Sequence, residues 1–429
     1  MVESMDVQAI ARAARASFGV MAQAGRAAKD AALLGMARRL GERRGEIVAA
    51  NAADIAQAQA EGVSQNLLDR LRFGEAKIDS RIASLGAVAG LADPVGQVFR
   101  HEKLENGLDV SRVRVPLGVV LMIYEARPHV TVNAGAFCLK AGNAAILRGG
   151  SEARRCNGLL GALWRESLEA AGLPGDAVQV ISGSHEEIDK LLELDEYIDL
   201  VIPRGGKGLI EAVCAKSRIP VIKHFEGICH VYLDEARDVE REVETGIRIV
   251  VDSKCLMPEV CNAAETLLVH EKLWCALPRI VGALQREGVG VRGCERTREA
   301  VPDVEAATQE DWATEYLDKV ISVKVVGSLD EAIEHINRYG SHHTDAIVTQ
   351  DVGHADAFAA RVDSGVVLVN ASTMYCDGAS LGMGAEIGIS TDKVHARGPM
   401  GLEELTSYKF VIRGKGNVMG SRFDVAGLE

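Results

Sequence analysis

Cys261 lies in KCLMPEVCNAAETLLVH, after a helix-compatible stretch and a proline and just before an apolar run. A thiol at such a helix-to-strand junction can face a cleft. Its thiolate would attack a carbonyl carbon, and nearby backbone N–H groups would favour the thiolate form. Most free cysteines are instead small buried hydrophobes, and Cys255 is a second candidate on residue type alone. Two glycine-rich turns offer anion-binding chemistry. RGGSEA (148–153) and PRGGKGLIEAV (203–213) each follow an apolar run and open a helical pattern. Glycines such as Gly205 and Gly206 let the backbone approach a phosphate, a helix N-terminus presents free N–H groups, and Arg148 or Lys207 adds positive charge. Neither turn is a GxGxxG or a Walker motif, and such turns are routine in α/β folds. His342-His343 and the pair His224/His230 have the side chains of metal ligands. No carboxylate or cysteine cluster completes a site around them in the sequence, so no metal is expected.

These residues need elements to position them. Val7, Ile10, Ala14, Phe18 and Met21 recur at helical steps, and the Ala-rich stretch from Ala27 to Ala60 repeats the habit, so the first ninety residues read as helical. QVFRHEKLENGLDVSRVRVP follows. Its Asn106-Gly107 turn between alternating apolar and charged residues predicts a two-stranded ribbon. From Val115 to about Asp234 the pattern becomes short apolar runs separated by helical stretches: VPLGVVLMI, NAAILRG, AVQVIS, YIDLVIP, IPVIKH and CHVYL. A second series follows from Val239, with strands expected near AETLLVH, VISVKVV, DAIVTQ and GVVLVNA. Such alternation predicts two α/β units with mostly parallel, doubly wound sheets and a ligand crevice at the carboxyl ends of their strands. SYKFVIRGKGNVMG near the C-terminus supplies one further strand.

The chain has 429 residues, enough for two or three domains, and its 47% hydrophobic and 25% charged residues place it in the globular class. A formal net charge of −13, spread along the chain, argues against nucleic acid or an anionic membrane surface as partner. The nine cysteines include no Cys-x-x-Cys pair, which reads as reduced intracellular thiols. The N-terminal segment lacks the apolar core of a signal peptide, and the densest apolar run, Val115 to Ile123, is about half of the ~20 residues a spanning helix needs. A cytoplasmic protein is expected.

In this order, YEARPHVTVNAGAFCLKAGNAAILRGGSEA, PEVCNAAETLLVH, SHHTDAIVT, VNAST and GAEIGISTDKVHARGPMGLEELTSYKF resemble the γ-glutamyl phosphate reductase family of the aldehyde dehydrogenase superfamily. The resemblance runs from about Ala11 to Arg413. It implies an aldehyde-dehydrogenase-like α/β fold with two doubly wound domains and a β-ribbon oligomerisation element. The cofactor domain would comprise 1–98 and 115–230, the catalytic domain 231–404, and the oligomerisation element 99–114 with 405–429. It also implies NADPH-dependent reduction of L-glutamyl 5-phosphate to glutamate 5-semialdehyde, a step towards proline, through a thioester on Cys261. A separate glutamate 5-kinase would be the functional partner.

Further roles carry over by position. Arg148 falls where the superfamily has a lysine that reaches the adenosine ribose, Glu315 resembles the glutamate that holds the nicotinamide ribose, and the turn of Gly205, Gly206 and Lys207 takes the place of the loop over the pyrophosphate. Arg127 is the expected contact for a substrate carboxylate, and Asn370 lies in a loop expected to face the substrate. NAD-linked relatives often carry an acid where Ser151 stands, with Arg154 and Arg155 behind it, and this departure implies NADPH. Where hydrolysing relatives have a water-activating glutamate, this chain aligns Lys223 or His224, with Glu226 close by. A missing base would let the thioester survive until hydride or phosphate arrives. Leu256, Met257 and His129 also depart from the family pattern. The resemblance further implies that the ribbon and the strand near Tyr408 to Ile412 join a neighbouring subunit, giving at least a dimer.

Overall fold

The computed structural model describes residues 6–419 except 237 and 385. In chain order the elements are α1 (Val7–Met21), α2 (Arg26–Glu42), α3 (Arg44–Ala60), α4 (Gln65–Leu71), α5 (Glu75–Gly90), β1 (Val98–Lys103), β2 (Asp109–Pro116), β3 (Val119–Tyr124), α6 (Pro128–Lys140), β4 (Ala144–Arg148), α7 (Arg154–Ala170), β5 (Val178–Ile181), α8 (His185–Leu191), β6 (Leu200–Arg204) and α9 (Lys207–Lys216). They continue with β7 (Cys229–Leu233), α10 (Val239–Cys255), β8 (Ala264–His270), α11 (Leu277–Arg286), β9 (Gly290–Gly293), α12 (Glu295–Ala300), β10 (Glu305–Ala306), β11 (Val320–Val326), α13 (Leu329–Tyr339), β12 (Thr344–Val348), α14 (Val352–Arg361), β13 (Val366–Val369), β14 (Gly388–Ser390), β15 (Gly398–Met400) and β16 (Thr406–Arg413). None of the described helices is long and apolar enough to cross a membrane.

Two compact units emerge. The first holds residues 1–202, 216–220 and 402–429, and the second 203–215 and 221–401. These bounds differ from the sequence-based ones at 203–215, 221–230 and the C-terminal segment, and residues 420–429 of that segment lie outside the described residues.

In the first unit a parallel sheet runs β5-β4-β3-β6. Every residue of β3 (VVLMIY) is buried, as expected of a strand covered by helices on both faces. The helices before it pack through residues such as Leu33, Met36, Leu40 and Ile47, and the Ala-rich stretch breaks into α2 and α3 at Arg43. Asp6 starts α1 by accepting the Ala9 N–H at 2.9 Å. The predicted ribbon is β1 paired antiparallel to β2. Its loop is not a two-residue turn. The Leu104 N–H bonds the Leu108 carbonyl, leaving Glu105, Asn106 and Gly107 as the loop, with Gly107 at φ +84° in the left-handed position that glycine adopts without steric cost. The free side of β2 is taken by β16 of the same chain, so the element is a three-stranded sheet whose open edges are β1 and β16.

In the second unit a parallel sheet runs β10-β9-β11-β8-β7-β12-β13 around a core that includes Val231, Leu267, Val269, Ile280, Leu284 and Val323. Two expectations change here. CHVYL forms β7 of this second sheet and not the last strand of the first. IPVIKH is irregular, with an isolated bridge at Val221, and so leaves His224 on a loop.

Candidate active site

The turn that carries Cys261 is built from the second unit. α10 ends at Cys255, Pro258 follows, and Cys261 sits half-buried in the turn that enters β8. Buried Asn262 pins this turn by donating to the carbonyls of Thr373 (3.1 Å) and Cys376 (3.3 Å). Ser253, in the last turn of α10, bonds Ser372 Oγ at 3.0 Å and accepts the Thr373 N–H at 3.1 Å. On the other side stands Gly227. A Cβ there would overlap the Cys261 carbonyl and come within 2.7 Å of its Cα, so the two backbones meet with no room for a side chain. The Gly227 N–H donates to Glu315 Oε1 at 2.7 Å, and the Cys229 thiol donates to the Cys261 carbonyl at 3.2 Å.

Glu315 is supported in turn. Glu265, fully buried in β8, accepts from Lys254 Nζ at 2.6 Å and from the Leu317 N–H at 3.2 Å. Asp311 accepts from the Thr308 N–H and the Tyr316 hydroxyl and pairs with Arg292. Burial pushes the Glu315 carboxyl upward against the pull of the Gly227 N–H.

Two imidazoles converge on Cys261. One ligand atom each from His224, Cys261 and His343 lies within 4.8 Å of the other two. His343 is fully buried, its Nδ1 is 2.8 Å from Thr344 Oγ1, and its Nε2 makes no hydrogen bond among the described residues. Burial holds the His343 pKa down to about 4, so this ring is neutral at neutral pH. His224 Nδ1 lies 3.0 Å from the Ile389 carbonyl, an acceptor only, which fixes a proton on Nδ1. Sequence reasoning weighed His224 with His230 as metal ligands and as a replacement for a glutamate, and His343 as half of a His-His dipeptide. No local signal ties either to Cys261, because Cys261 reaches them through the parallel pairing β12-β7-β8. Cys255 packs against the core with its thiol pushed up by burial, and it is not among these three groups.

Other expected site residues of this unit are already engaged. Lys207 pairs with Glu226 at 3.0 Å, which also occupies the alternative glutamate of that segment. Lys223 pairs with Asp392 at 2.8 Å. Gly206 has open space where a Cβ would stand, and Gly205 is half-buried beside it. Asn370 adopts φ +55° and spends its amide on the Thr349 backbone, accepting at 2.9 Å and donating at 2.8 Å, so it ties β12 to β13.

Arg148, Ser151 and Arg127 belong to the first unit. Arg148 ends β4 and donates to the Gly183 carbonyl at 3.2 Å, while its buried Nε makes no hydrogen bond among the described residues. Burial lowers its pKa, and the charge of Glu152 opposes that shift. A Cβ on Gly150 would overlap the Glu152 carboxylate, which accepts the Ala126 N–H at 2.6 Å. The N-terminus of α7 is not free, as the sequence suggested. Buried Asp54 accepts the N–H groups of Arg155 (3.2 Å) and Cys156 (2.9 Å) and pairs with the Arg155 guanidinium. Exposed Ser151 and Arg154 line a polar cavity of about 480 Å³ together with Asp54, Gln57, Glu61, Glu152 and Arg155. Arg127 stands between β3 and α6, near enough to Lys77 to lower its pKa further after burial has done so.

Residues 1–290 match the aldehyde dehydrogenase family model. The chain is 49% identical over 417 residues to the γ-glutamyl phosphate reductase of Moorella thermoacetica, covering 97% of this chain and 99% of that one. The crystal structure of γ-glutamyl phosphate reductase from Thermotoga maritima superposes with a TM-score of 0.93 at 44% identity, covering 97% of this chain and 100% of that one. The Saccharomyces cerevisiae γ-glutamyl phosphate reductase structure gives 0.54 at 31% identity, again covering 97% and 100%. Gly227 against Cys261, the paired imidazoles and two parallel-sheet units thus stand in a chain that belongs to the aldehyde dehydrogenase family and, within it, to the γ-glutamyl phosphate reductases.

Proposed function

We propose that this chain reduces L-glutamyl 5-phosphate to L-glutamate 5-semialdehyde and phosphate with NADPH, through a thioester on Cys261. The observation that carries the reading is the half-buried Cys261 thiol with a ring nitrogen of His224 and one of His343 within 4.8 Å of it. His224 takes the thiol proton, and the thiolate adds to the acyl carbonyl. Phosphate then leaves with the electrons of the C–O bond, and the thioester remains. The Cys261 N–H makes no hydrogen bond among the described residues and is the proposed donor to the tetrahedral oxyanion. A bound nicotinamide supplies the hydride that takes the thioester to the aldehyde level, and Cys261 departs as thiolate.

The first unit fits a phosphate-bearing cofactor. Arg148 keeps an unsatisfied buried Nε, and the cavity beside Ser151 is polar, with Arg154 on its lining. No side chain at 151 repels a 2′-phosphate, which favours NADPH over NADH. Gly205, Gly206 and Lys207 take the pyrophosphate side, Glu315 the nicotinamide ribose and Arg127 a substrate carboxylate, while Asn370 shapes the substrate loop through its backbone. We assign Arg148 and Ser151 of the first unit to the cofactor and Cys261 of the second to catalysis.

Assembly belongs to the same proposal. Phe99, Tyr408, Phe410 and Ile412 are exposed on the three-stranded sheet, with Tyr408 ring to ring with Phe99 (5.6 Å) and Phe410 (5.8 Å) and Arg112 over both Tyr408 and Phe410 at 5.1 Å. Open edges with apolar flanks suit a homo-oligomer of at least two chains, in a cytoplasm where a glutamate 5-kinase makes the labile substrate. The test is a coupled assay of that kinase, ATP, glutamate and this protein with NADPH or NADH. Glutamate-dependent NADPH oxidation supports the reading. Turnover with aspartyl or N-acetylglutamyl phosphate in place of the glutamyl substrate overturns it.

A further inference from the structure

The fold splits both histidine pairs of the sequence. His342 turns to the Asp363 carbonyl (2.6 Å), and His230 is buried against Asp345 (2.8 Å). Their partners, His343 and His224, meet at Cys261, with ligand atoms within 4.8 Å of one another. From this geometry we propose that Cys261, His224 and His343 form a binding site for a soft divalent transition cation of the Zn²⁺ class, which reversibly silences the nucleophile.

The donor set is one thiolate and two neutral imidazoles, the ligand types that select zinc over calcium or magnesium, and it leaves a fourth position for water. Each ring holds its other nitrogen against a protein oxygen, Ile389 carbonyl for His224 and Thr344 Oγ1 for His343, as metal-bound histidines do. The Nε2 of His343 is buried and makes no hydrogen bond among the described residues, so a cation would give this nitrogen a partner. Zn–S near 2.3 Å and Zn–N near 2.0 Å require donor atoms roughly 3.3–3.7 Å apart. From separations of up to 4.8 Å the donor atoms need to close by up to about 1.5 Å, which rotation of the half-buried His224 and Cys261 side chains would supply. Binding exchanges the thiol proton, released to solvent, for a metal–sulfur bond, with no change of oxidation state.

The test needs no turnover and so stands apart from the reductase reading. Co²⁺ added to the full-length, reduced protein without substrate should give one saturable thiolate-to-cobalt charge-transfer band, and Zn²⁺ should displace it at one ion per chain. Cys261→Ser and His224→Asn should each weaken binding by about 10- to 100-fold, while Cys255→Ser leaves it unchanged. Zn²⁺ should slow alkylation of Cys261, with a chelator restoring it. His224→Gln, checked by circular dichroism, guards against a misfolded asparagine variant. Absence of the band, its persistence in Cys261→Ser, or equal Zn²⁺ affinity in the folded His224 variants overturns the site.

Discussion

Two glycine-lined turns, one in each unit, are held by different means. In the Cys261 turn, Gly227 abuts the backbone of Cys261 and gives its N–H to the Glu315 carboxylate, and the segment that carries Glu315 is tied down at Leu317 by Glu265, itself paired with Lys254, and at Tyr316 by Asp311. In the RGGSEA turn, Gly150 faces the end of the Glu152 side chain, which holds the Ala126 N–H, and Asp54 occupies the helix start behind it. Backbone cannot retreat, whereas a carboxylate can rotate. The nucleophile is therefore fixed without slack, while the proposed cofactor turn can yield to what binds there.

Removing the nucleophile should have the largest effect. Cys261→Ser should lower kcat/KM by on the order of 10³-fold or more with fold and cofactor binding intact. A steady-state assay with fluorescence titration of NADPH checks both, and loss of activity in Cys255→Ser instead would reassign the thiol. The comparison is next tested by one added methyl on each side. Gly227→Ala must displace the Cys261 backbone and should cost about 10²-fold in kcat/KM. Gly150→Ala only swings the Glu152 carboxylate off Ala126, at about 1 kcal/mol of stability. Equal losses in the two variants would erase the distinction.

The support behind the nucleophile turn can be broken more deeply. Lys254→Met leaves the fully buried Glu265 without its cation and should destabilise the protein by about 3–5 kcal/mol in urea unfolding. Asp311 gives a pH-dependent version. Burial alone would raise its pKa, but hydrogen bonds from Thr308, Arg292 and Tyr316 outweigh it and bring the value down from 3.8 to about 2. Its stabilisation, about 2 kcal/mol, is fully present above the unfolded-state value and is lost as pH falls through about 2. The stability gap between the parent and Asp311→Asn, measured by denaturant melts, should shrink across that window and stay constant above it. The smallest expected effect is on the yielding turn. Ser151→Glu should erode the NADPH preference by about tenfold in kcat/KM, roughly the repulsion of one carboxylate against a phosphate at an exposed site. Comparable kcat/KM for NADPH and NADH in the unmodified protein would remove the ground for that preference.

Element types were legible where periodicity was strong. The amphipathic helices before Gly90, β3, β8 and the strand at Tyr408 stand where their patterns put them. IPVIKH misled because a short apolar run carries no information about pairing, and no strand lines up beside it beyond the bridge at Val221. The free helix start expected after RGGSEA was likewise invisible as an error. The group that fills it, Asp54, comes from α3, about a hundred residues earlier.

By itself the sequence determined the class of the fold and the family, and through the resemblance it singled out Cys261 as the candidate thiol, since these rest on local pattern and on ordered motifs that survive without contacts. Tertiary structure alone decided the company that thiol keeps. His224 comes from an irregular loop, His343 from the turn before β12, Gly227 from the approach to β7 and Glu315 from the segment before β11, and parallel crossovers bring residues far apart in the chain to the amino ends of four adjacent strands, β11, β8, β7 and β12. Such a meeting is set by strand order and register, which depend on the whole buried core and leave no mark at any one position along the chain.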